Sequence, residues 1–251
     1  MIALRSISLR SRTTGESLFV ELSLELEAGE AVLVSGPSGA GKTALARLLA
    51  ASGRPDAGEV HMFGHDVARL RRSSIALLRR RAAIVPQELV LLERESALAN
   101  AAASLSVAAV PRAEARARAA AALERFGLGA VAAVPVARLS SGQRRLVCLA
   151  RAAAADPLLL VADDPTAHLD AAGRQALLDL IAELQGRGGA ALVASSDPAL
   201  SAAAARLGWK SVELGAPAAT DAAEQPKVAN LVPFPVSART GSQRNSAGGA
   251  A

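Results

Sequence analysis

Eight consecutive residues, Gly36-Pro37-Ser38-Gly39-Ala40-Gly41-Lys42-Thr43, carry the groups needed to hold a row of phosphates. They match the phosphate-binding loop pattern G-x-x-x-x-G-K-[ST] at every fixed position. Phosphate oxygens are bound there by a ring of backbone N–H groups, and Gly36, Gly39 and Gly41 let the backbone approach without a Cβ in the way. Lys42 brings a point charge to the β- and γ-phosphates, and the Thr43 hydroxyl is a hard oxygen ligand suited to Mg²⁺. A glycine-rich turn with an incidental lysine is the plainer alternative. Composition argues against it: of 28 Lys and Arg side chains only Lys42, Lys210 and Lys227 are lysines. A chain that otherwise uses arginine has a compact ammonium where one is wanted.

A second group is Leu158-Leu159-Leu160-Val161-Ala162-Asp163-Asp164-Pro165, an apolar run ending in two carboxylates. Beside a phosphate loop, a carboxylate at such a strand end holds Mg²⁺ together with Thr43, which is the role expected of Asp163. Asp164, one residue on, is placed for a base facing the attacking water.

These groups need elements to position them. Ala31-Val32-Leu33-Val34 reads as a buried strand leading into the loop, and residues 44–49 have helix-forming composition, so the phosphates would meet a helix N-terminus. Ile2–Arg10 reads as a first strand. Leu18, Val20, Leu22, Leu24 and Leu26 alternate with Phe19, Glu21, Ser23, Glu25 and Glu27, the period of a half-solvated antiparallel strand. Further strands are expected at 58–62, 83–85, 158–162, 190–194 and 209–214, with a helix carrying Leu177, Leu178, Ile181 and Leu184. Residues 88–155 are expected to form an inserted helical subdomain. One of its helices has Pro111 in its first turn and Phe126-Gly127 at its end; another spans 142–154 with Leu146, Leu149, Ala150 and Ala153 on one face. From Gly215 the chain is rich in Ala, Pro, Ser and Gly, so 1–214 is expected as the folded domain and 215–251 as a disordered tail, with 232–236 a spacer rather than a docking peptide.

At 251 residues with 51% hydrophobic side chains, one α/β domain with a subdomain or tail is the natural size. The net charge of +5 invites a nucleic-acid partner, but with 2% aromatics and no tyrosine a base-stacking platform is not expected. Arg69, Arg71, Arg72, Arg79, Arg80 and Arg81 form the sharpest basic cluster, readable either as a solvated face or as a contact for anionic lipid or an acidic partner surface. The single cysteine, Cys148, excludes an internal disulfide and reads as a small core residue. No run approaches 18 apolar residues, and Arg5, Arg10 and Arg12 interrupt any leader, so a soluble cytoplasmic chain is expected.

With these pieces in order, the chain resembles the ATP-binding-cassette (ABC) ATPases over about residues 1–214. Leu139-Ser140-Ser141-Gly142-Gln143 looks like their signature LSGGQ, Gln87 falls at their Q-loop glutamine and Ala167-His168-Leu169-Asp170 at their D-loop. Residues 162–170, ADDPTAHLD, resemble the ADEPTGNLD of the branch holding the cell-division ATPase FtsE, the lipoprotein-release ATPase LolD and the MacB-type exporters. Leu91-Leu92-Glu93-Arg94-Glu95-Ser96 resembles the LLxDRT of FtsE more than its sisters, chiefly through Arg94.

The resemblance implies an α/β fold with a P-loop NTPase core, a mixed sheet with an antiparallel edge, and an inserted helical subdomain. It implies ATP and Mg²⁺ as ligands, with Thr43, Gln87 and Asp163 around the metal. It also implies a head-to-tail homodimer formed on ATP binding, each nucleotide held by one P-loop and by Ser140, Ser141, Gly142 and Gln143 of the other copy. The helical subdomain would pass the motion to an integral-membrane subunit, FtsX-like or a transporter permease, at the inner face of the plasma membrane. The FtsE-like role in division or envelope remodelling leads. A LolD- or MacB-type transporter, and a clamp that dimerises on ATP but scarcely hydrolyses it, are the alternatives.

Four positions depart from the family pattern. Asp164 stands for the catalytic Glu, Ser196 for the switch His and Ser141 for a signature Gly, and no aromatic lies near Ser11 to stack on adenine. An Asp retracts the base by about 1.5 Å, one C–C bond. Ser196 offers a hydroxyl without the reach or the titratable ring of histidine. Catalysis by Asp164, Gln87 and Ser196 is therefore expected to be slow, with phosphate binding intact and base selectivity weak.

Overall fold

The computed structural model describes residues 1–215, so the expected tail, with its 232–236 stretch, lies outside the described residues. In chain order the elements are β1 (Ile2–Arg10), β2 (Ser17–Leu26), β3 (Ala31–Ser35), α1 (Lys42–Leu49), β4 (Ala57–Met62), β5 (His65–Asp66), α2 (Arg72–Arg80) and β6 (Ala82–Val85). Then come α3 (Ala97–Val107), α4 (Arg112–Arg125), α5 (Ser141–Ala154), β7 (Leu159–Asp163), α6 (Ala171–Gly186), β8 (Ala190–Ala194), α7 (Pro198–Arg206) and β9 (Lys210–Glu213).

The apolar runs that lack alternation, joined at one edge by the more polar β9, become one parallel sheet in the order β6-β7-β8-β3-β9. Every residue of β7 and β8 is buried, as a sheet covered on both faces requires. Successive side chains point to opposite faces. Val32, Val34 and Leu192 pack toward α1 and the antiparallel strands, whereas Leu33, Leu160 and Val193 pack toward α5 and α6. Each fully buried Val or Leu contributes about 1.5–3 kcal/mol.

The antiparallel strands, expected as an edge of that sheet, form a sheet of their own in the order β2-β1-β4-β5. Strand β1 has both edges occupied, by β2 and β4, and β3 has both edges occupied, by β8 and β9. Neither has a ladder left for the other, and α1 lies between the sheets, touching β4 on one side and β7 and β8 on the other. Strand β2 also corrects the simple alternation. Phe19 is buried and Val20 is exposed, the reverse of the expected phase, while Leu22, Leu24 and Leu26 are buried as expected. Between the pairs Ile7–Leu22 and Leu9–Phe19 the register slips by one residue, with Glu21 at φ 52°. One bulged residue turns everything before it to the other face.

The helical layer holds three helices rather than the two read from sequence, because the alanine-rich 97–107 segment is α3. Pro111 is the N-cap of α4 rather than part of its first turn. Helix α5 has α3 and α4 on one side and the parallel sheet and α6 on the other. Its buried set is therefore wider than one stripe: Leu149 and Ala150 are buried as expected, joined by Val147, Cys148 and Ala152, while Leu146 and Ala153 are only half-buried.

All six arginines of the basic cluster are exposed, and several also have partners within the chain. Arg79 donates to the carbonyls of Ala50 (3.3 Å) and Ala51 (2.6 Å), closing the C-terminus of α1. Arg69 pairs with Asp66, and Arg81 lies 4.3 Å from the centre of the Phe63 ring. Among the described residues no helix is long and apolar enough to cross a membrane.

Candidate nucleotide-binding site

Strand β3 delivers the chain to the loop at Ser35, and α1 leaves it at Lys42. Gly36, Gly39 and Gly41 have φ of 145°, 84° and 93°, a region that side chains disfavour. The need for glycine comes partly from the protein's own packing. A Cβ on Gly36 would lie 2.6 Å from the Leu214 carbonyl oxygen, and one on Gly41 would lie 3.0 Å from Phe19 Cε1. Helix α1 opens on Gly41 with no side-chain cap and no acidic residue in its first turn. Its first N–H groups thus have no side-chain partner, the arrangement that receives an anion. The Lys42 ammonium donates to the carbonyls of Gly36 (2.6 Å) and Pro37 (2.9 Å), lying across the mouth of the loop. Ala40 N–H closes the turn onto Pro37, Ala40 is buried, and Ser38 is exposed at the tip.

The other expected groups arrive at the carboxyl ends of neighbouring parallel strands, where ligands of such sheets bind. Asp163 ends β7, Ser196 follows β8 by two residues and Gln87 follows β6 by two. The Thr43 hydroxyl is 3.3 Å from Gln87 Oε1 and also bonds the Asp163 carboxylate. Burial pushes the Asp163 carboxyl above the ordinary range. The Asp164 charge adds to this, against the Thr43 bond and the charges of Lys42 and Arg47. A buried carboxylate that is costly to ionise is one that a cation would relieve.

Thr43, Gln87 and Asp163 are three oxygen donors from three elements, the hard set that suits Mg²⁺. Among the described residues no group of three or more His, Cys, Asp or Glu side chains could form a cage for a metal.

Asp164 sits in the left-handed region at φ 46°, a conformation that costs about 1–3 kcal/mol in a non-glycine residue and clusters at functional sites. Its N–H donates to the Ala194 carbonyl at 2.7 Å, and its Oδ1 accepts from the buried Ser195 hydroxyl at 3.2 Å. Ser196 is exposed, and its hydroxyl donates to the Gly36 carbonyl at 2.9 Å. Of the expected catalytic residues, Ser196 thus reaches the start of the phosphate loop, Asp164 is held against the end of β8 beside it, and Gln87 reaches Thr43.

Ser140, Ser141, Gly142 and Gln143 are not part of this cluster. They form the first turn of α5, where Ser140 and Gln143 cap each other reciprocally: Gln143 N–H to Ser140 Oγ at 3.2 Å, Ser140 N–H to Gln143 Oε1 at 3.0 Å. The turn is presented outward, Ser140 and Ser141 being exposed. Gly142 is required by a close approach, since a Cβ there would lie 2.8 Å from the His168 carbonyl oxygen.

Sequence reasoning missed three residues. Phe19 packs beneath Gly41, hidden by the bulge in β2. Ser195 holds Asp164; a hydroxyl at the end of a fully apolar strand was the available signal. Arg145 is only 3% exposed, on the same helical face as Leu149 and Ala152, and a charge on an apolar stripe was readable. The turn at Ser11 carries only Ser, Arg and Thr side chains, and Ser11 Oγ accepts from the N–H groups of Thr13 and Thr14.

Comparison with known proteins falls on these same elements. The family model described as ABC transporter matches residues 19–167. The methionine import ATP-binding protein MetN of Caulobacter vibrioides is 40% identical over 184 residues, covering 73% of this chain and 55% of that protein. The macrolide export ATP-binding/permease protein MacB 1/2 of Paracoccus denitrificans is 34% identical over 211 residues, 82% of this chain and 31% of that protein. The chain thus spans about half, or less, of the length of these curated relatives. Among solved structures, the dimeric cassette of MJ0796, a bacterial ABC transporter, superposes with TM-score 0.78 at 27% identity over 86% of this chain and 94% of that one. A post-hydrolysis dimer of MJ0796 bound to ADP and Pi also has TM-score 0.78. The phosphate loop and the carboxylates at the strand ends lie inside the matched segment, and the chain belongs to the ABC transporter family as an α/β nucleotide-binding domain that binds ATP with Mg²⁺ and hydrolyses it.

Proposed function

We propose that this chain is the ATP-hydrolysing subunit of a membrane transporter, working as a pair of copies that close on two nucleotides and turning over slowly. The observation that carries it is the convergence of the phosphate loop, Thr43, Gln87, Asp163, Asp164 and Ser196 at the carboxyl ends of β3, β6, β7 and β8. Lys42 exchanges the Gly36 and Pro37 carbonyls for phosphate oxygens. Thr43, Gln87 and Asp163 would hold Mg²⁺, which neutralises charge on the phosphates. Asp164, oriented by Ser195 through Oδ1, keeps Oδ2 for the attacking water. With the carboxylate set back by about 1.5 Å, and a misplacement near 1 Å costing about 10²-fold in rate, hydrolysis is the weak half of the site.

The outward-facing first turn of α5 supplies Ser140–Gln143 to the nucleotide of a second copy. The dimeric cassette of MJ0796 supports that pairing. Methionine import and macrolide export by the relatives support a transporter role at the inner face of a membrane, with a permease as partner. The division role suggested by residues 91–96 has no support among these relatives, and Arg94 is an exposed side chain of the loop. The test is light scattering with and without Mg-ATP beside steady-state phosphate release. The expected result is ATP-dependent doubling of mass with slow release; a chain that stays monomeric while hydrolysing rapidly would overturn the reading.

A further inference from the structure

The segment between β6 and α3, residues 86–96, has no regular secondary structure, and such connections are usually the loosest parts of a domain. Here it is tied down along its length by side chains of the helical layer. Arg145 of α5 donates from Nη1 to the Pro86 carbonyl at 2.8 Å and from Nη2 to the Gln87 carbonyl at 2.9 Å. Arg151, also on α5, donates to the Val90 carbonyl at 2.8 Å, and Arg144 pairs with Glu93. Asn100 of α3, fully buried, accepts from Leu92 N–H at 2.7 Å and donates to the Leu92 carbonyl at 3.0 Å. The backbone at Gln87 is therefore held by α5, while its side chain reaches Thr43 in the core.

Arg145 bears most of this at the end nearest the nucleotide. A guanidinium 3% exposed is costly to bury, and its Nε has no hydrogen-bond partner. Its charge is offset at longer range by Asp163 and Asp164, the two carboxylates of the site. A lysine at this place could give one carbonyl a bond but could not fork across two successive ones. A methionine would fill the space and leave both carbonyls without their donor.

We infer that Arg145 is a positioning residue for Gln87: its fork fastens the Pro86–Gln87 backbone to α5 and so fixes the point from which the Gln87 side chain reaches Thr43. The functional half of this rests on the reading of Gln87 as part of the Mg²⁺ site; the fastening itself does not.

The experiment compares the wild-type chain with Arg145→Met, Arg145→Lys and Gln87→Ala by amide hydrogen exchange and by Mg²⁺-dependent ATP turnover. In Arg145→Met, exchange over 86–91 is expected to quicken while 141–154 and 159–163 keep wild-type protection. The Mg²⁺ concentration for half-maximal turnover should rise about 10–100-fold, as for loss of a group that orients a metal ligand. KM for ATP should stay within about twofold, since the phosphate loop is untouched. Arg145→Lys should fall between, and it carries the test if Arg145→Met does not fold. Unchanged exchange over 86–91, or exchange raised equally over 159–163, overturns the inference. A silent Gln87→Ala with a loosened 86–91 in Arg145→Met overturns the Mg²⁺ reading of Gln87 and still supports the fastening.

Discussion

The Ser195 hydroxyl donates to Asp164 Oδ1 at 3.2 Å, while the neighbouring Ser196 hydroxyl turns the other way to the Gly36 carbonyl at 2.9 Å. Two adjacent hydroxyls thus divide the work of positioning the proposed base and closing the phosphate loop. Asp164→Glu together with Ser196→His should raise turnover, on the order of 10²-fold if the retracted carboxylate is what limits it. Ser195→Ala should lower kcat with KM nearly unchanged, because it frees the carboxylate without touching the phosphate loop. Steady-state phosphate release on the three proteins checks both. No gain in the double variant would show that the retraction is compensated elsewhere.

Arg79 and Arg71 belong to one basic cluster in the sequence but not in the fold. Arg79 closes the α1 C-terminus through the Ala50 and Ala51 carbonyls, whereas Arg71 is an exposed N-cap with no side-chain capping bond. Arg79→Ala should cost about 1 kcal/mol, the net loss for a surface-accessible pair of hydrogen bonds. Arg71→Ala should stay within about 0.5 kcal/mol of wild type. Urea titrations followed by the fluorescence of Trp209, the single tryptophan and 3% exposed, distinguish them. Equal effects would place both arginines back on one solvated face.

Lys42 makes two short bonds to loop carbonyls that phosphate oxygens would replace. Charge-assisted hydrogen bonds contribute about 1.5–3 kcal/mol each, so Lys42→Ala should weaken Mg-ATP binding by about 100-fold or more. ATP-dependent pairing should be lost with it. Calorimetry and light scattering on the same samples check this, and a Lys42→Ala chain that bound and paired as wild type would remove the basis of the proposed function.

The nucleotide half of the site was legible because it is nearly contiguous: residues 36–43 specify loop, lysine and hydroxyl in one stretch, and Asp163-Asp164 follow an unbroken apolar run. The partition of strands into two sheets was not legible, because pairing depends on which ladders are already filled. The phase of β2 was hidden by a single residue, Glu21, whose left-handed backbone shifts Phe19 inward. Arg145 was passed over because the sequence gives no sign of which carbonyls it will meet, 58 and 59 residues away. Contacts of that range belong to the fold, while motifs of eight residues belong to the chain.

Asp163 gives a prediction whose sign follows from burial. Its folded pKa lies above the ordinary value of 3.8, with burial the largest cause. A carboxyl raised on folding binds its proton more tightly in the folded state, so stability is fully present below the unfolded pKa and is lost as pH rises through the folded one. Near neutral pH the nucleotide-free protein therefore bears the cost of an ionised, buried Asp163. Asp163→Asn should be more stable than wild type at pH 7, and the gap should narrow as pH falls toward the ordinary carboxylate range, where wild-type Asp163 is itself neutral. Mg²⁺ requires the ionised form, so Mg-ATP should stabilise wild type far more than Asp163→Asn, reversing their order at saturating nucleotide. Thermal unfolding read through Trp209 across that pH range, with and without Mg-ATP, tests both signs. A wild type already the more stable at pH 7 without nucleotide would mean that Asp163 is held by partners strong enough to outweigh its burial, and the carboxylate would then be a structural group rather than one kept for a cation.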